Sequence, residues 1–186
     1  MREKMKTDLQ NKLDALYAHY MYAHDLIAVY EHIGELNADN KKTAGNFFCI
    51  VESACVDAFM MEFARLYDNH GSCTIPSILK KCEDDSSLFY NPNEVKNKVC
   101  DYLEIMKQDV DIANAINTIK LRRDKMLAHN DQAYFINPSK DTTCLPMYQI
   151  RFLRDYTGNV IEYLLKALRC DVKKTPMYNK DLDNIL

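Results

Sequence analysis

One short stretch in the second half of the sequence concentrates residues suited to acid–base and phosphate chemistry. It contains Arg122, Arg123, Asp124 and Lys125, followed after three apolar residues by His129. Histidine is the side chain whose unperturbed pKa, about 6.5, lies near neutrality. Arginine is always charged and can fork onto phosphate oxygens. These residue types would suit phosphodiester cleavage without a metal, with the histidine moving a proton and an arginine stabilising charge on phosphorus.

The spacing leaves open which arginine faces the histidine. On a straight α-helix with about 100° per residue, Arg122 and His129 lie about 20° apart around the axis, and Arg123 and His129 about 120° apart. Straight-helix geometry favours Arg122. An arginine side chain can swing and the helix can loosen near Asn130, so Arg123 stays a candidate. A structural interpretation is also open, because cations and a histidine near a helix C-terminus can cap its last carbonyls.

The charge of the chain restricts how it could bind nucleic acid. The formal net charge is −3, whereas a general polyanion-binding surface would be basic. Any nucleic-acid contact must therefore be local, and the best candidate is the patch formed by Lys120, Arg122, Arg123 and Lys125. The alternative is that these residues form a solvent-exposed helix face, because most runs of charged residues are of this kind.

Composition and periodicity predict an all-α fold. The chain has 186 residues, 47% of them hydrophobic, and only 4 Gly and 5 Pro, which favours one domain built from a few long elements. Apolar residues recur at helical spacing. They predict helices over residues 3–36, 43–69, 74–81, from 92 onwards, 110–129 and 147–170. We expect the first two long helices to be antiparallel, the motif helix to pack against them, and the domain to cover residues 1–170 before a tail at 171–186.

Helix ends and polar interruptions give more local predictions. Thr43, Thr74 and Asn91 are expected as N-caps, and Gly71 as a left-handed stop. The acids within the 43–69 helix, which include Glu62, are expected at its solvent-facing edges, and the alternative is that they are buried. That helix is apolar on more than one side, so it should be central to a core or to an oligomer.

Cysteine usage and the N-terminus bear on compartment and cofactors. Seven cysteines without C-x-x-C spacing predict neither a disulfide framework nor a zinc site. Reduced thiols at apolar positions fit a cytoplasmic protein. The sequence indicates no secretion signal and no membrane span. It also shows no metal-ligand set, so no metal and no cofactor are expected.

Four ordered motifs resemble one known family. The motif Arg123-Asp124, followed by four more residues and then His129, resembles the signature of HEPN domains: an arginine, an adjacent polar residue and a histidine four to six residues further on. Residues 63–68 (FARLYD), residues 74–79 (TIPSIL) and Asp131 extend the resemblance to the AbiU-type branch, which is associated with phage abortive infection. The similarity spans roughly residues 10–170.

The resemblance implies a fold, a partner and a chemistry. HEPN domains are helical bundles that usually dimerise, and many are metal-independent ribonucleases in toxin–antitoxin or phage-defence systems. By resemblance, Arg123 would stabilise the phosphate of an RNA substrate, Asp124 would position that arginine, and His129 would act as the acid or base. Lys120, Arg122, Lys125 and Asn130 would contact the substrate. Two copies would meet to form a composite site.

Two features keep other functions open. Some toxin HEPN proteins carry a tyrosine two residues after the histidine, the target of a partner nucleotidyltransferase. Here that position is Asp131, which puts such regulation in doubt, although an antitoxin or nucleotidyltransferase partner stays possible. The alternative to an enzyme is a non-catalytic helical module that binds RNA or another protein in a toxin–antitoxin or abortive-infection system.

Overall fold

The computed structural model describes residues 2–35, 38–128 and 145–170, with side chains described for all of these except 38–44 and 126–128. Within these ranges the chain forms six α-helices and one π-helical segment, and no strand. The predicted all-α bundle is therefore confirmed. His129, Asn130 and Asp131 of the motif lie outside the described residues, as do most of the predicted 131–146 loop and the 171–186 tail.

The elements follow the predicted order. They are α1 (Arg2–Glu35), α2 (Ala38–Leu66), α3 (Ile75–Asp84), α4 (Pro92–Gln108), α5 (Val110–Arg122), the π segment (Arg123–Ala128) and α6 (Met147–Ala167). Helices α1 and α2 are antiparallel, since His19 contacts Glu62 and Tyr30 packs on Phe59. The motif helix α5 packs on α2 and α6, as predicted for α2.

The core lies between these helices and α6. Leu13 and Ile27 on α1, Phe59 and Phe63 on α2, and Leu164 on α6 are all fully buried. Burying side chains of this size from water stabilises the fold by about 1.5–3 kcal/mol each before entropy is counted. The interior also holds a hydrogen-bonded polar pair, in which the hydroxyls of Tyr67 and Thr157 lie 2.7 Å apart and join α2 to α6.

Several predicted helix ends are wrong. Helix α2 begins at Ala38, so Thr43 lies inside it and is not its cap. The same helix ends at Leu66 rather than 69, and Gly71 has no positive φ. The cause of the earlier end is Asp68, whose side chain accepts a hydrogen bond from the backbone of His70 at 3.3 Å. This local bond offers the backbone an alternative to another helical turn.

Of the other two predicted N-caps, only Thr74 forms a side-chain cap hydrogen bond. Thr74 is confirmed as an N-cap and forms a capping box with Ser77. Asn91 occupies the N-cap position of α4, but its side chain makes no cap hydrogen bond and donates instead to Glu94 Oε2 at 2.9 Å. The predicted break between α4 and α5 is the single residue Asp109, whose carboxylate caps α5 by accepting from two of its first backbone amides.

The last helix stops three residues before the predicted position. Helix α6 ends at Ala167, and Arg169 follows with a φ of 59°. The backbone amides of Cys170 and Arg169 return to the carbonyls of Leu165 and Lys166. This is the Schellman arrangement, in which the left-handed position is usually occupied by glycine.

The prediction that Glu62 faces solvent is wrong. Its side chain is only 7% exposed. Burial is tolerated because His19 Nδ1 lies 2.7 Å from one carboxylate oxygen and Arg65 donates to the other at 2.6 Å. A buried carboxylate with two such partners avoids most of the cost of desolvation.

Gly158 on α6 packs directly against the ring of Tyr20 on α1. A Cβ atom built there would lie 2.8 Å from Tyr20 Cζ and closer still to its hydroxyl oxygen. Tyr20 is itself 8% exposed and therefore has little room to move. The absence of a side chain at residue 158 is thus a packing requirement.

We expect Gly158→Ala to destabilise the protein, although alanine favours helices, because the methyl group would force Tyr20 out of its site. Overpacking of this kind costs about 1–3 kcal/mol, which lowers the melting temperature by roughly 2–10 °C. The matched control is Gly45→Ala within α2, where the new Cβ meets no atom within 4 Å and a gain of about 0.5–1 kcal/mol is expected. Thermal unfolding followed by circular dichroism measures both. Equal melting temperatures for the two variants would contradict this account.

Candidate active site

The motif arginines lie where the winding of the helix changes. Helix α5 runs to Arg122, and the backbone then continues as a π-helix over Arg123–Ala128. A π-helix closes its hydrogen bonds between residues five apart and is often found at functional sites. The straight-helix calculation that favoured Arg122 over Arg123 assumed α-helical winding through this segment, and that assumption is wrong.

Arg123 is held between two carboxylates. Its Nε donates to Asp124 Oδ1 at 2.8 Å, and its NH1 lies 3.7 Å from Asp68 Oδ1 at the end of α2. The hydrogen bond that Arg123 donates to Asp124 is the main reason that the pKa of Arg123 is raised. The side chain is still 26% exposed. These contacts engage Nε and NH1, so part of the five-donor guanidinium fork stays available for an oxyanion.

Arg122 points to a different part of α2. Its NH2 donates to Asp57 Oδ1 at 3.0 Å, and the side chain is 18% exposed. Its Nε is buried and has no hydrogen-bond partner within the described part of the chain. Asp57 lies within α2, nine residues before its last residue Leu66, whereas Asp68 lies two residues after that end. The two neighbouring arginines are therefore directed apart, and only Arg123 is paired with the motif aspartate.

Lys120 lies one turn before Arg123 on α5. Its Nζ donates to Asn69 Oδ1 at 2.8 Å. Partial burial is the main cause of its lowered pKa, and the nearby charge of Arg123 lowers the pKa further. The positive charges of Lys120 and Arg123 repel each other, so an anion bound between the two side chains would be attracted to both. Lys125 lies in the π segment with an exposed side chain.

The basic patch carries less positive charge than the sequence indicates. Arg122 meets Asp57, and Arg123 meets both Asp68 and Asp124. Acids on α2 and in the motif thus offset part of the arginine charge. Lys120 on α5 lies near Arg123 and is hydrogen-bonded to the neutral amide of Asn69.

The partners of the cations were not identified from the sequence. Asp57, Asp68 and Asn69 hold Arg122, Arg123 and Lys120 in place. The available signal was the polar run Asp68-Asn69 after the end of α2 at Leu66 and the acid Asp57 within that helix. Without knowing which helix packs on α2, these residue types alone could not assign them to the cations.

Metal-ligand groups and membrane-spanning helices are two further features that bear on function. Within the described residues, no group of three or more His, Cys, Asp or Glu side chains is arranged to hold a metal ion. Among the helices described, none has the combination of length and apolar character needed to cross a bilayer.

Comparison with known proteins adds the family. No curated protein and no solved structure matches the chain significantly. A family model named HEPN_AbiU2, described as AbiU2, matches residues 6–184, which is nearly the whole sequence. The match includes the arginine motif, the end of α2 and most of the predicted tail. The chain belongs to the AbiU2 family of HEPN domains.

Proposed function

We propose that this protein is a metal-independent endoribonuclease that acts in phage defence or as a toxin. The observation that carries the proposal is the pairing of Arg123 with Asp124 in a π-helical segment of an AbiU2-family HEPN domain. In this proposal, Arg123 binds and stabilises the scissile phosphate, while His129 transfers the proton. Asp124 fixes the orientation of the guanidinium.

The chemistry rests on the different properties of the two side chains. A guanidinium that is held by carboxylates on one side can present its remaining donors to two phosphate oxygens. A histidine near neutrality can take the proton from the ribose 2′-hydroxyl or give one to the leaving oxygen. Attack by the 2′-oxygen breaks the bond from phosphorus to the 5′-oxygen and leaves a 2′,3′-cyclic phosphate.

The substrate would be held by the residues around Arg123. Lys120 and Lys125 supply positive charge, and Asn130 supplies an amide. Arg122 is a weaker candidate for substrate contact, because Asp57 already binds it. We propose a reducing, cytoplasmic location, which is supported by the free thiols of Cys55 and Cys82 in the core.

Cleavage should persist when metals are removed. We expect the purified protein to cut single-stranded RNA at an unchanged rate in excess chelator, because neither proposed role requires a metal ion. Gel electrophoresis of end-labelled RNA gives the rate, and a 3′ end that resists phosphatase until acid has opened the ring identifies the cyclic phosphate. Loss of cleavage in chelator, with recovery on adding Mg²⁺ or Zn²⁺, would refute the metal-independent mechanism.

We also propose an isologous homodimer that brings two motif segments together. Its support is the apolar surface on the first half of α2, where Phe47 is 61% exposed and Ile50 is 68% exposed. Large aromatic and aliphatic side chains exposed side by side often mark an interface. Two copies would also double the local charge available to bind RNA, despite the net charge of −3.

The proposed dimer can be tested by measuring the mass of the protein in solution and by substituting an exposed apolar residue of α2. Light scattering at micromolar concentration should give about twice the mass of one chain, and Ile50→Asp should shift the protein towards the monomer and reduce cleavage. Tyr22→Asp is the matched control, because Tyr22 is a half-exposed residue on α1. A monomeric wild-type protein that cleaves RNA at full rate would exclude a composite site.

The second candidate function is a non-catalytic module that binds RNA or protein, with an antitoxin or nucleotidyltransferase as a possible partner. It is favoured by the neutralisation of Arg122 and, in part, of Arg123 by acids. RNA binding without any cleavage by the wild-type dimer would support this alternative.

A further inference from the structure

A small cavity lies along α5, next to Lys120. It has a volume of about 280 Å³, is open to solvent, and lies between the end of α2 and helices α4 and α5. Ligand pockets commonly have volumes of about 300–1,000 Å³. This cavity is therefore suited to one planar group rather than to a large ligand.

The lining of the cavity combines apolar and polar side chains in similar proportion. Tyr67 and Met106 contribute apolar surface, and the Tyr67 hydroxyl is already bonded to Thr157 at 2.7 Å. The polar groups come from Asn69, Lys107, Asn117 and Lys120. Apolar surface with a few convergent polar groups is the usual composition of a ligand site.

One stripe of α5 leads from the cavity to the guanidinium. Ala113, Asn117 and Lys120 line the cavity at spacings of four and three residues, so they share a helix face, and Arg123 continues the stripe three residues later. Asn117 and Arg123 are six residues apart, or about 9 Å along the helix. The cavity and the proposed phosphate site can therefore be reached by adjacent parts of one ligand.

Lys120 links the two sites. Its ammonium is partly buried at the cavity edge, bonded to Asn69, and close enough to Arg123 to be affected by its charge. A phosphate between Lys120 and Arg123 would relieve their repulsion. Asn117 is exposed at the cavity, and its amide offers both a donor and an acceptor to a ligand.

We infer that this cavity binds one base of single-stranded RNA, next to the phosphate held by Arg123, and that Asn117 reads the edge of that base. The inference rests on the proposed function, because it takes RNA as the ligand. Single-stranded RNA is recognised mainly by splayed bases that enter such pockets and bond through their edges. Asn117 would thus determine specificity, without taking part in the proton transfer.

The test measures RNA binding separately from cleavage. All proteins carry His129→Ala, so that the RNA stays intact, and fluorescence anisotropy gives their affinities for short homopolymers of A, C and U. We expect the parent to prefer one homopolymer, and Asn117→Ala to reduce that preference roughly tenfold, as expected for loss of an amide–base contact. Ala113→Leu, which fills the cavity, should weaken binding of the preferred RNA.

Controls distinguish the two proposals. Asn97→Ala changes an exposed asparagine on α4 that does not line the cavity, and should bind like the parent. Equal affinity of the parent for the three RNAs, or unchanged preference in both cavity variants, would overturn the base pocket even if the wild type cleaves RNA. A preference that depends on Asn117 in a protein that never cleaves RNA would retain the pocket and refute the ribonuclease.

Discussion

His129→Ala should abolish RNA cleavage and leave the melting temperature nearly unchanged. Removing a group that transfers a proton in the rate-limiting step typically lowers the rate by about 10²–10⁴-fold. The rate should also depend on pH with an inflection near the histidine pKa, which in an unperturbed side chain is about 6.5. Single-turnover cleavage of labelled RNA between pH 5 and 9 measures both effects, and anisotropy checks that RNA is still bound.

The control is a second histidine with a known structural contact. His19 is bonded to the buried carboxylate of Glu62, so His19→Ala should affect stability and leave the rate constant of cleavage unchanged. If His129→Ala mainly lowered the melting temperature and kept its rate, we would assign His129 to a helix cap and abandon the catalytic role.

Arg123→Lys should lose cleavage almost as completely, although the charge is kept. Lysine has a point charge and cannot reproduce a guanidinium that bonds Asp124 while presenting further donors to a phosphate. The loss expected from removing one donor to a developing oxyanion is about 10²–10³-fold in the rate. The effect should lie in kcat rather than in RNA affinity, because the ammonium still attracts the phosphate.

Arg122→Lys provides the matched comparison at the neighbouring residue. Arg122 is bonded to Asp57, away from Asp68 and Asp124, so this variant should cleave RNA within a few-fold of the wild type. The straight-helix geometry would require the opposite ranking. A greater loss at Arg122 than at Arg123 would therefore refute the assignment of the phosphate-binding role.

The overall fold could be predicted because long amphipathic patterns are strong signals. The apolar spacing of α1 and α6, the scarcity of glycine and the Thr74 cap all followed from local sequence. The errors concerned residues whose state depends on tertiary partners. Glu62 is buried because His19 and Arg65 reach it from two sides, and no property of α2 alone indicates where His19 will lie.

The candidate site was predictable in its residue types but not in its geometry. Periodicity assigns about 100° to every residue, and it cannot signal a change from α-helical to π-helical winding at Arg123. The pairing of Arg122 with Asp57 was also inaccessible, because it depends on how α5 crosses α2. The side chains of the two adjacent arginines point apart because of how α5 packs on α2. This difference is the reason that we assign phosphate binding to Arg123.

The π-helical segment Arg123–Ala128 has a consequence for how this motif tolerates change. A π turn contains one residue more than the α turn it replaces, so it is equivalent to an insertion that the helix has absorbed without breaking. Deleting one residue there can return the backbone to α-helical winding while the chain on either side keeps its direction. The signature that this sequence resembles allows four to six residues before its histidine. Because the π-helical segment already contains one extra residue, the motif can lose or gain a residue while the helix remains continuous. This is a physical explanation for how different spacings before the histidine can arise during evolution.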